Sequence, residues 1–160
     1  MVAGWPVAIL RIVFGLMYLD MAFQKAPWVV SGGRRRYGWL YGWHPTFGWY
    51  AAFLKNVVVP NFGLFGMLTF VTETALGLGL LLGLLTRLAG LAGALWQVNI
   101  ALGTFRVPGE WYWIWALVIL AQGVFAACGA GRALGLDDVI RKKLEPEPNR
   151  GWVTVVRLAT

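Results

Sequence analysis

The chain has little of what a water-soluble catalytic protein normally contains. Only one Cys and one His occur among its 160 residues. A disulfide within the chain is therefore excluded, as are a bis-histidine haem and a multi-ligand metal site built from this chain alone. Charged residues make up 13% of the chain, roughly half their usual share in soluble domains. Hydrophobic residues make up 59%. With a mean hydropathy of +0.64, these proportions predict an integral membrane protein.

Acidic residues are scarcer than basic ones. The chain has 7 Asp and Glu against 14 Lys and Arg, which gives a net charge of +7. In a membrane protein such charge lies in loops and tails, where it can contact lipid head groups or anionic solutes. The basic residues are scattered and no nucleic-acid-reading motif accompanies them, so no nucleic-acid partner is predicted.

Four apolar runs approach or reach the length needed to cross a bilayer. They cover about residues 3–24, 62–85, 88–105 and 111–128. They predict an all-α fold, a four-helix transmembrane bundle forming a membrane domain over residues 1–131. The long aromatic connection after the first helix, residues 25–61, should contain a short interfacial helix that starts at Pro45 and stops before Pro60.

His44 and Cys128 are each given a simple structural role. His44 lies alone in the long connection and is read more simply as a loop hydrogen-bonding residue than as a ligand. Cys128 is read as inert packing at the end of the fourth apolar run.

Residues 132–160 should form a separate C-terminal segment made of an amphipathic helix and an extended tail. Asp137 and Asp138 suit the start of a helix, and Arg141 to Lys143 suit its end. The tail, WVTVVRL at residues 152–158, is rich in β-branched residues that favour extended structure. Because a lone strand is unstable, the sequence predicts that the tail docks on another subunit.

Charged residues inside the apolar runs are the candidate functional residues. Glu73 lies at the centre of the second run, and Arg11 lies near the middle of the first. Because consecutive spans are antiparallel, the two are predicted to pair at the same depth. Gln97, Asn99 and Gln122 would add a polar layer at mid-membrane. This layer can be a buried structural pair with its hydrogen-bonding partners, a functional polar pocket, or both.

The first apolar run has polar residues on two faces of one helix. Arg11, Gly15, Tyr18, Ala22 and Lys25 fall on one stripe at about 100° per residue. Asp20 and Gln24 fall on nearly the opposite face. One face is therefore predicted to pack inside the bundle, and the other against a neighbouring subunit or the long connection.

The stretch LRIVFGLMYLDMAFQK, with Arg11, Gly15 and Lys25, resembles the first span of the DoxX/DoxD family. KNVVVPN before the span that carries Glu73, and then GLLLGLLTRLAGLAG, are similar to the second and third spans of that family. GRALGLDDVIRKK resembles the end of its DoxD-like members. The resemblance covers about residues 7–143 and leaves out the tail after Arg150. It implies a multi-pass subunit of the inner (plasma) membrane, with both termini cytoplasmic.

For DoxD-like members the resemblance implies a small subunit of a thiosulfate:quinone oxidoreductase. Such a protein works with other membrane-complex subunits and passes electrons to quinone. From its residues the chain is also expected to bind lipid, and to hold no covalently bound cofactor and no metal. Glu73 and Arg11 would then contact quinone or carry protons. Lys25, Arg34, Arg35 and Arg36 would bind a small anionic sulfur substrate. Their simpler roles are snorkelling to the membrane interface for Lys25 and lipid anchoring for the three arginines. The alternative function is an accessory or structural subunit of a larger respiratory or photosynthetic electron-transfer complex, without catalysis of its own.

Overall fold

The computed structural model describes residues 4–26, 47–106, 108–109, 111–146 and 151–160. All regular secondary structure within these residues is helical, which confirms the predicted all-α class. The α-helices are α1 Trp5–Lys25, α2 Gly48–Phe53, α3 Phe62–Leu82, α4 Thr86–Thr104, α5 Trp113–Cys128, α6 Leu136–Leu144 and α7 Gly151–Ala159. A π-helical segment, Leu54–Val58, continues α2, and a 3-10 turn, Ala130–Arg132, follows α5.

Two of these helices, α1 and α3, are long and apolar enough to cross a membrane, and α5 is a shorter apolar helix. The short helix predicted in the long connection is present as α2 with its π-helical continuation. It begins at Gly48 and ends before Pro60. Pro45, the predicted start, lies outside the described residues.

Helix α1 packs along α3, and α4 packs along α5, with glycines at both interfaces. A Cβ on Gly15 would lie 2.5 Å from the backbone nitrogen of Leu81 and 2.9 Å from the carbonyl oxygen of Gly77. A Cβ on Gly90 would lie 2.7 Å from the carbonyl oxygen of Gln122. The backbones therefore approach as closely as in the small-residue contacts that join helices in membranes.

We expect Gly15→Ala to destabilise the protein by about 1–3 kcal/mol, because the added methyl group meets backbone atoms that cannot rotate away. Thermal unfolding in mild detergent, followed by tryptophan fluorescence, measures this change. Gly123→Ala in α5 is the matched control, since nothing lies within 4 Å of its added Cβ. The control should be neutral or slightly stabilising through helix propensity. Equal losses of thermal stability in the Gly15 and Gly123 variants would contradict the close α1–α3 contact.

The two predicted faces of α1 are present. The buried residues of α1 are Ala8, Arg11, Gly15, Tyr18 and Ala22. Asp20 and Gln24 lie on the exposed face, where Gln24 Nε2 donates a hydrogen bond to Asp20 Oδ2 at 2.7 Å. That a neighbouring subunit covers this face stays a prediction.

The predicted pairing of Arg11 with Glu73 is wrong. The contact of Gly15 with Gly77 and Leu81 sets the antiparallel register of α1 on α3. Arg11 is thereby level with the last residues of α3, about seven to ten residues beyond Glu73, or roughly 10–15 Å along the helix. The prediction aligned the centres of the two apolar runs, whereas the glycine contact decides the actual offset.

The predicted extended tail is also wrong. Residues 151–159 form the helix α7, which packs on α4 and α6 of the same chain. Val153 is fully buried, and Arg157 Nη2 donates to the carbonyl oxygen of Leu144 at 2.5 Å. The β preference of valine and threonine is weak, and burial of one face of the helix outweighs it.

We expect Val153→Asp to release α7 from the bundle while the other helices stay folded. Burying a valine side chain contributes about 1.5–3 kcal/mol, and an unpaired carboxylate in its place is costly. Hydrogen exchange should become faster in residues 151–159 and stay unchanged in α3. Val155→Asp is the control, because Val155 is exposed. Unchanged exchange in the Val153 variant would show that α7 does not depend on this contact.

Candidate functional site: a buried polar cluster

A charged pair lies inside the helical bundle between α1 and α3. Lys25 Nζ lies 2.5 Å from Glu73 Oε1. The Glu73 side chain is fully buried, whereas that of Lys25 is 33% exposed. Trp96 Nε1, from α4, donates to the same oxygen at 3.4 Å. The pair therefore links the interior of the bundle to its rim at the C-terminal end of α1.

A second group of polar side chains surrounds the hydroxyl of Tyr18. This hydroxyl accepts hydrogen bonds from Gln97 Nε2 at 3.1 Å and from Gln122 Nε2 at 2.5 Å. It donates to the carbonyl oxygen of Gly93 at 3.4 Å. Tyr18, Gln97 and Gln122 are all buried, so one tyrosine ties α1 to α4 and α5. Gly93 leaves the space for this contact, since a Cβ there would overlap the Gln122 side chain.

We call these side chains together the buried polar cluster; its members are Tyr18, Lys25, Glu73, Trp96, Gln97 and Gln122. Three of its acceptor oxygens are buried and have no hydrogen-bond partner among the described residues: Glu73 Oε2, Gln97 Oε1 and Gln122 Oε1. Leaving a buried acceptor unsatisfied costs about 1–3 kcal/mol. The cluster thus combines spare N–H groups on the Lys25 ammonium, which has three, with spare acceptors. That combination suits a ligand whose oxygens alternate between carbonyl and hydroxyl.

Arg11 belongs to a different group of contacts, at the other end of the α1–α3 pair. Its guanidinium donates to the carbonyl oxygens of Leu80, of Leu81 at 3.3 Å and of Leu134 at 2.8 Å. The last carbonyls of α3 have no partner within the helix and carry its negative dipole end. A fully buried cation therefore caps the C-terminus of α3.

Asp137 makes the complementary contact at the start of α4. Its carboxylate accepts from the backbone nitrogen of Leu85 at 2.7 Å. It also accepts from the nitrogen and hydroxyl of Thr86 at 2.9 and 2.5 Å. Asp137 is fully buried, so its charge is offset by the positive end of α4 and by Arg11. Gly131 N donates in turn to the Thr86 hydroxyl at 2.9 Å.

These two charged residues hold a strained part of the backbone. Leu85 and Leu134 have φ angles of 49° and 50°, in the left-handed region that leucine rarely adopts. The Leu85 nitrogen is bound by Asp137 and the Leu134 carbonyl by Arg11. Arg11 and Asp137 thus hold the α3–α4 turn and the segment after α5 in place.

The structure brings Glu73 and Lys25 together and separates both from Arg11. Of the predicted polar layer, Gln97 and Gln122 join Tyr18, whereas Asn99 accepts a hydrogen bond from the Tyr50 hydroxyl at 3.1 Å. Arg34, Arg35, Arg36 and His44 lie outside the described residues. Cys128 is a free, partly buried thiol.

Sequence reasoning missed the roles of Trp96 and Asp137. Trp96 directly precedes Gln97, which was a usable signal. Asp137 was interpreted as an N-terminal residue of α6, which it is, but its carboxylate binds the start of α4. No group of three His, Cys, Asp or Glu side chains that could hold a metal occurs in the part of the chain that the structure describes.

The long apolar helices and the charged pair buried between them indicate a membrane protein. A family model described as "TQO small subunit DoxD" matches residues 43–158. This match spans well over half of the chain, which belongs to the DoxD family. No curated protein and no solved structure matches the chain.

The matched region differs from the resemblance noted in the sequence at both ends of the chain. It includes the tail beyond Arg150, which the resemblance noted in the sequence had left out. It begins after α1, so Tyr18 and Lys25 of the buried polar cluster lie outside it, whereas Glu73, Trp96, Gln97 and Gln122 lie inside it. The family is described as a small subunit, which implies that the chain works in a complex.

Proposed function

We propose that this chain is the integral membrane small subunit of a quinone-linked oxidoreductase that couples thiosulfate oxidation to quinone reduction. The observation that carries the proposal is the match of residues 43–158 to the family described as the TQO small subunit. In this proposal α1, α3, α4 and α5 each cross the inner (plasma) membrane. An even number of crossings places both termini on one side, the cytoplasmic one.

The buried polar cluster is the proposed quinone site. A quinone presents two carbonyl oxygens that become hydroxyls on reduction. Lys25 Nζ uses one of its three N–H groups on Glu73, so another can donate to a carbonyl oxygen, and the unpartnered Glu73 Oε2 is an acceptor for a hydroxyl. Apolar walls with a few convergent polar groups are the usual lining of such sites.

The proposed chemistry balances as two half-reactions. Two thiosulfate ions lose two electrons when the sulfur–sulfur bond of tetrathionate forms. Quinone gains those two electrons and two protons to give quinol. The role proposed for Glu73 is to pass on a proton, which Lys25 restores from the exposed rim. With one Cys and one His, the chain itself has little to hold a redox centre. Electrons therefore pass directly between the bound substrates or through a partner subunit.

The three consecutive arginines after α1, Arg34 to Arg36, are proposed to attract the anionic sulfur substrate together with Lys25, on the extracytoplasmic side. Replacing all three by glutamine should raise the KM for thiosulfate several-fold and weaken its dependence on ionic strength, because exposed charges are screened by salt. An unchanged KM would assign the run to lipid anchoring instead.

The experiment that tests the proposed function uses the chain purified in mild detergent with the subunits that accompany it. Thiosulfate-dependent reduction of a short-chain quinone should be measured, with the same preparation lacking thiosulfate as the control. Tetrathionate and quinol should appear in equal amounts. Intact complex without any such turnover would contradict the proposal.

A second candidate function, an accessory subunit without catalysis, is favoured by the exposed face of α1. Asp20 and Gln24 bond to each other on that face, and polar side chains that face lipid are costly. A neighbouring subunit would cover them. If replacing both by leucine weakens copurification of the partner and Glu73→Gln leaves turnover unchanged, this second function is the better one.

A further inference from the structure

Three arginines lie near the start of α4 and the end of α5, and none of them belongs to the buried polar cluster. Arg87 lies in the first turn of α4, Arg132 in the 3-10 turn after α5, and Arg141 in α6. The Nε atoms of Arg132 and Arg87 lie 3.0 and 3.3 Å from the point that a Cβ on Gly129 would occupy, and the main-chain oxygen of Thr160 lies 3.2 Å from it. Gly129 has a φ of +58°, and its missing side chain leaves room for both guanidiniums. We call Arg87, Arg132 and Arg141 the arginine cluster.

The donors of this cluster are incompletely used. The Nε atoms of Arg87 and Arg132 are buried and have no hydrogen-bond partner among the described residues. Arg141 Nη1 donates to the carbonyl oxygen of Arg157 at a long 3.3 Å. A buried N–H group without an acceptor is costly, so the cluster lacks an acceptor rather than a donor.

The positive charge of this region is also poorly balanced. The carboxylate of Asp137 acts on both Arg11 and Arg132, but its oxygens already accept three hydrogen bonds from Leu85 and Thr86. The buried Thr160 adds one main-chain oxygen near Gly129, which leaves four arginines with few acceptors among the described residues. Asp138 is paired with Lys142 at 2.6 Å. Burial, and then the charges of Arg141 and Arg87, lower the pKa of Arg132, and Asp137 only partly opposes them. The local arrangement therefore favours an additional anion.

We propose that the arginine cluster is a binding site for a tetrahedral oxyanion, either the phosphodiester of an anionic lipid or a free inorganic oxyanion. The planar guanidinium matches phosphate oxygens with two parallel hydrogen bonds, and several arginines give the charge and the directionality for such a ligand. The cluster lies at the ends of helices whose outer surfaces are apolar, at the level where lipid head groups would lie. This inference does not depend on the proposed quinone chemistry, because none of its residues belongs to the buried polar cluster.

The test uses the full-length protein, delipidated in detergent. Native mass spectrometry should measure binding of phosphatidylglycerol against phosphatidylcholine, and calorimetry should measure binding of inorganic phosphate. Retention of phosphatidylglycerol should exceed that of phosphatidylcholine by about tenfold if a lipid is the source, and phosphate should bind measurably if a free ion is. Arg87→Gln with Arg132→Gln should reduce that binding on the order of tenfold or more.

Two further variants make the result decisive. Lys143→Gln removes one charge from the exposed face of α6 and should leave binding unchanged. The double lysine variant, Arg87→Lys with Arg132→Lys, keeps both charges and should fold even if the double glutamine variant does not. Its binding should be weaker than that of the unaltered protein and stronger than that of the double glutamine variant. If Lys143→Gln loses as much binding as Arg87→Gln with Arg132→Gln, the binding is due to general surface charge. That result, or a wild-type protein that prefers neither the anionic lipid nor phosphate, would overturn the proposal.

Discussion

Replacing Asp137 by alanine is expected to destabilise the protein by about 3–5 kcal/mol, because removing one partner leaves buried charges and donors uncompensated. The nitrogen atoms of Leu85 and Thr86 and the Thr86 hydroxyl would lose their acceptor. Arg11 would lose the favourable charge of the Asp137 carboxylate. The left-handed backbone at Leu85, which costs roughly 1–2 kcal/mol, would no longer be held. The midpoint of unfolding in detergent with increasing SDS measures the change.

The neighbouring residue supplies the control for this prediction. Asp138 makes only an exposed i,i+4 pair with Lys142, and such pairs contribute about 0–1 kcal/mol. Asp138→Ala should therefore be nearly neutral although it removes the same charge from the same helix. If both alanine variants lose stability equally, the carboxylate of Asp137 does not hold the α3–α4 turn.

Glu73→Gln is expected to lower the turnover number for thiosulfate-dependent quinone reduction by about 10²–10³-fold. This range is typical when a proton-transferring side chain is removed. Glutamine has nearly the same shape and can still accept from Lys25 and Trp96 through its carbonyl oxygen, so the fold should be retained. It cannot release a proton. Steady-state kinetics of the purified complex should show a lower kcat with an unchanged KM for thiosulfate.

Glu145→Gln is the matched control, since it makes the same chemical change on an exposed residue at the end of α6. Its kcat should equal that of the unaltered protein. A Glu73→Gln variant with full kcat would mean that the Lys25–Glu73 pair is structural and that protons reach quinone elsewhere. The proposed site would then be wrong even if the overall reaction were found.

The positions of α1 to α6 could be read from the amino-acid sequence because each depends on local composition. Apolar runs of bilayer length predict α1, α3, α4 and α5 within a few residues of their observed bounds. The charge pattern from Asp137 to Lys143 predicts α6. The stripe on α1 follows from the helical period alone, and its members are buried except for Lys25, which is half-buried at the rim.

The tail shows where local preference misleads. Its β-branched residues favour an extended strand, yet it forms α7, because one buried valine and the packing on α4 and α6 outweigh a small intrinsic preference. No partner subunit is needed to satisfy its backbone, since a helix satisfies most of its own hydrogen bonds.

The sequence by itself determined that this is an apolar, all-α protein in which Arg11, Lys25 and Glu73 must be held inside or at the edge of a helical bundle. Which of these residues meet was decided by tertiary structure. The close approach of Gly15 to the α3 backbone offsets the two helices, so that Lys25, not Arg11, reaches Glu73. Arg11 instead binds backbone carbonyls at the end of α3. Periodicity gives the face on which a side chain lies, whereas the depth of its partner depends on how two surfaces fit.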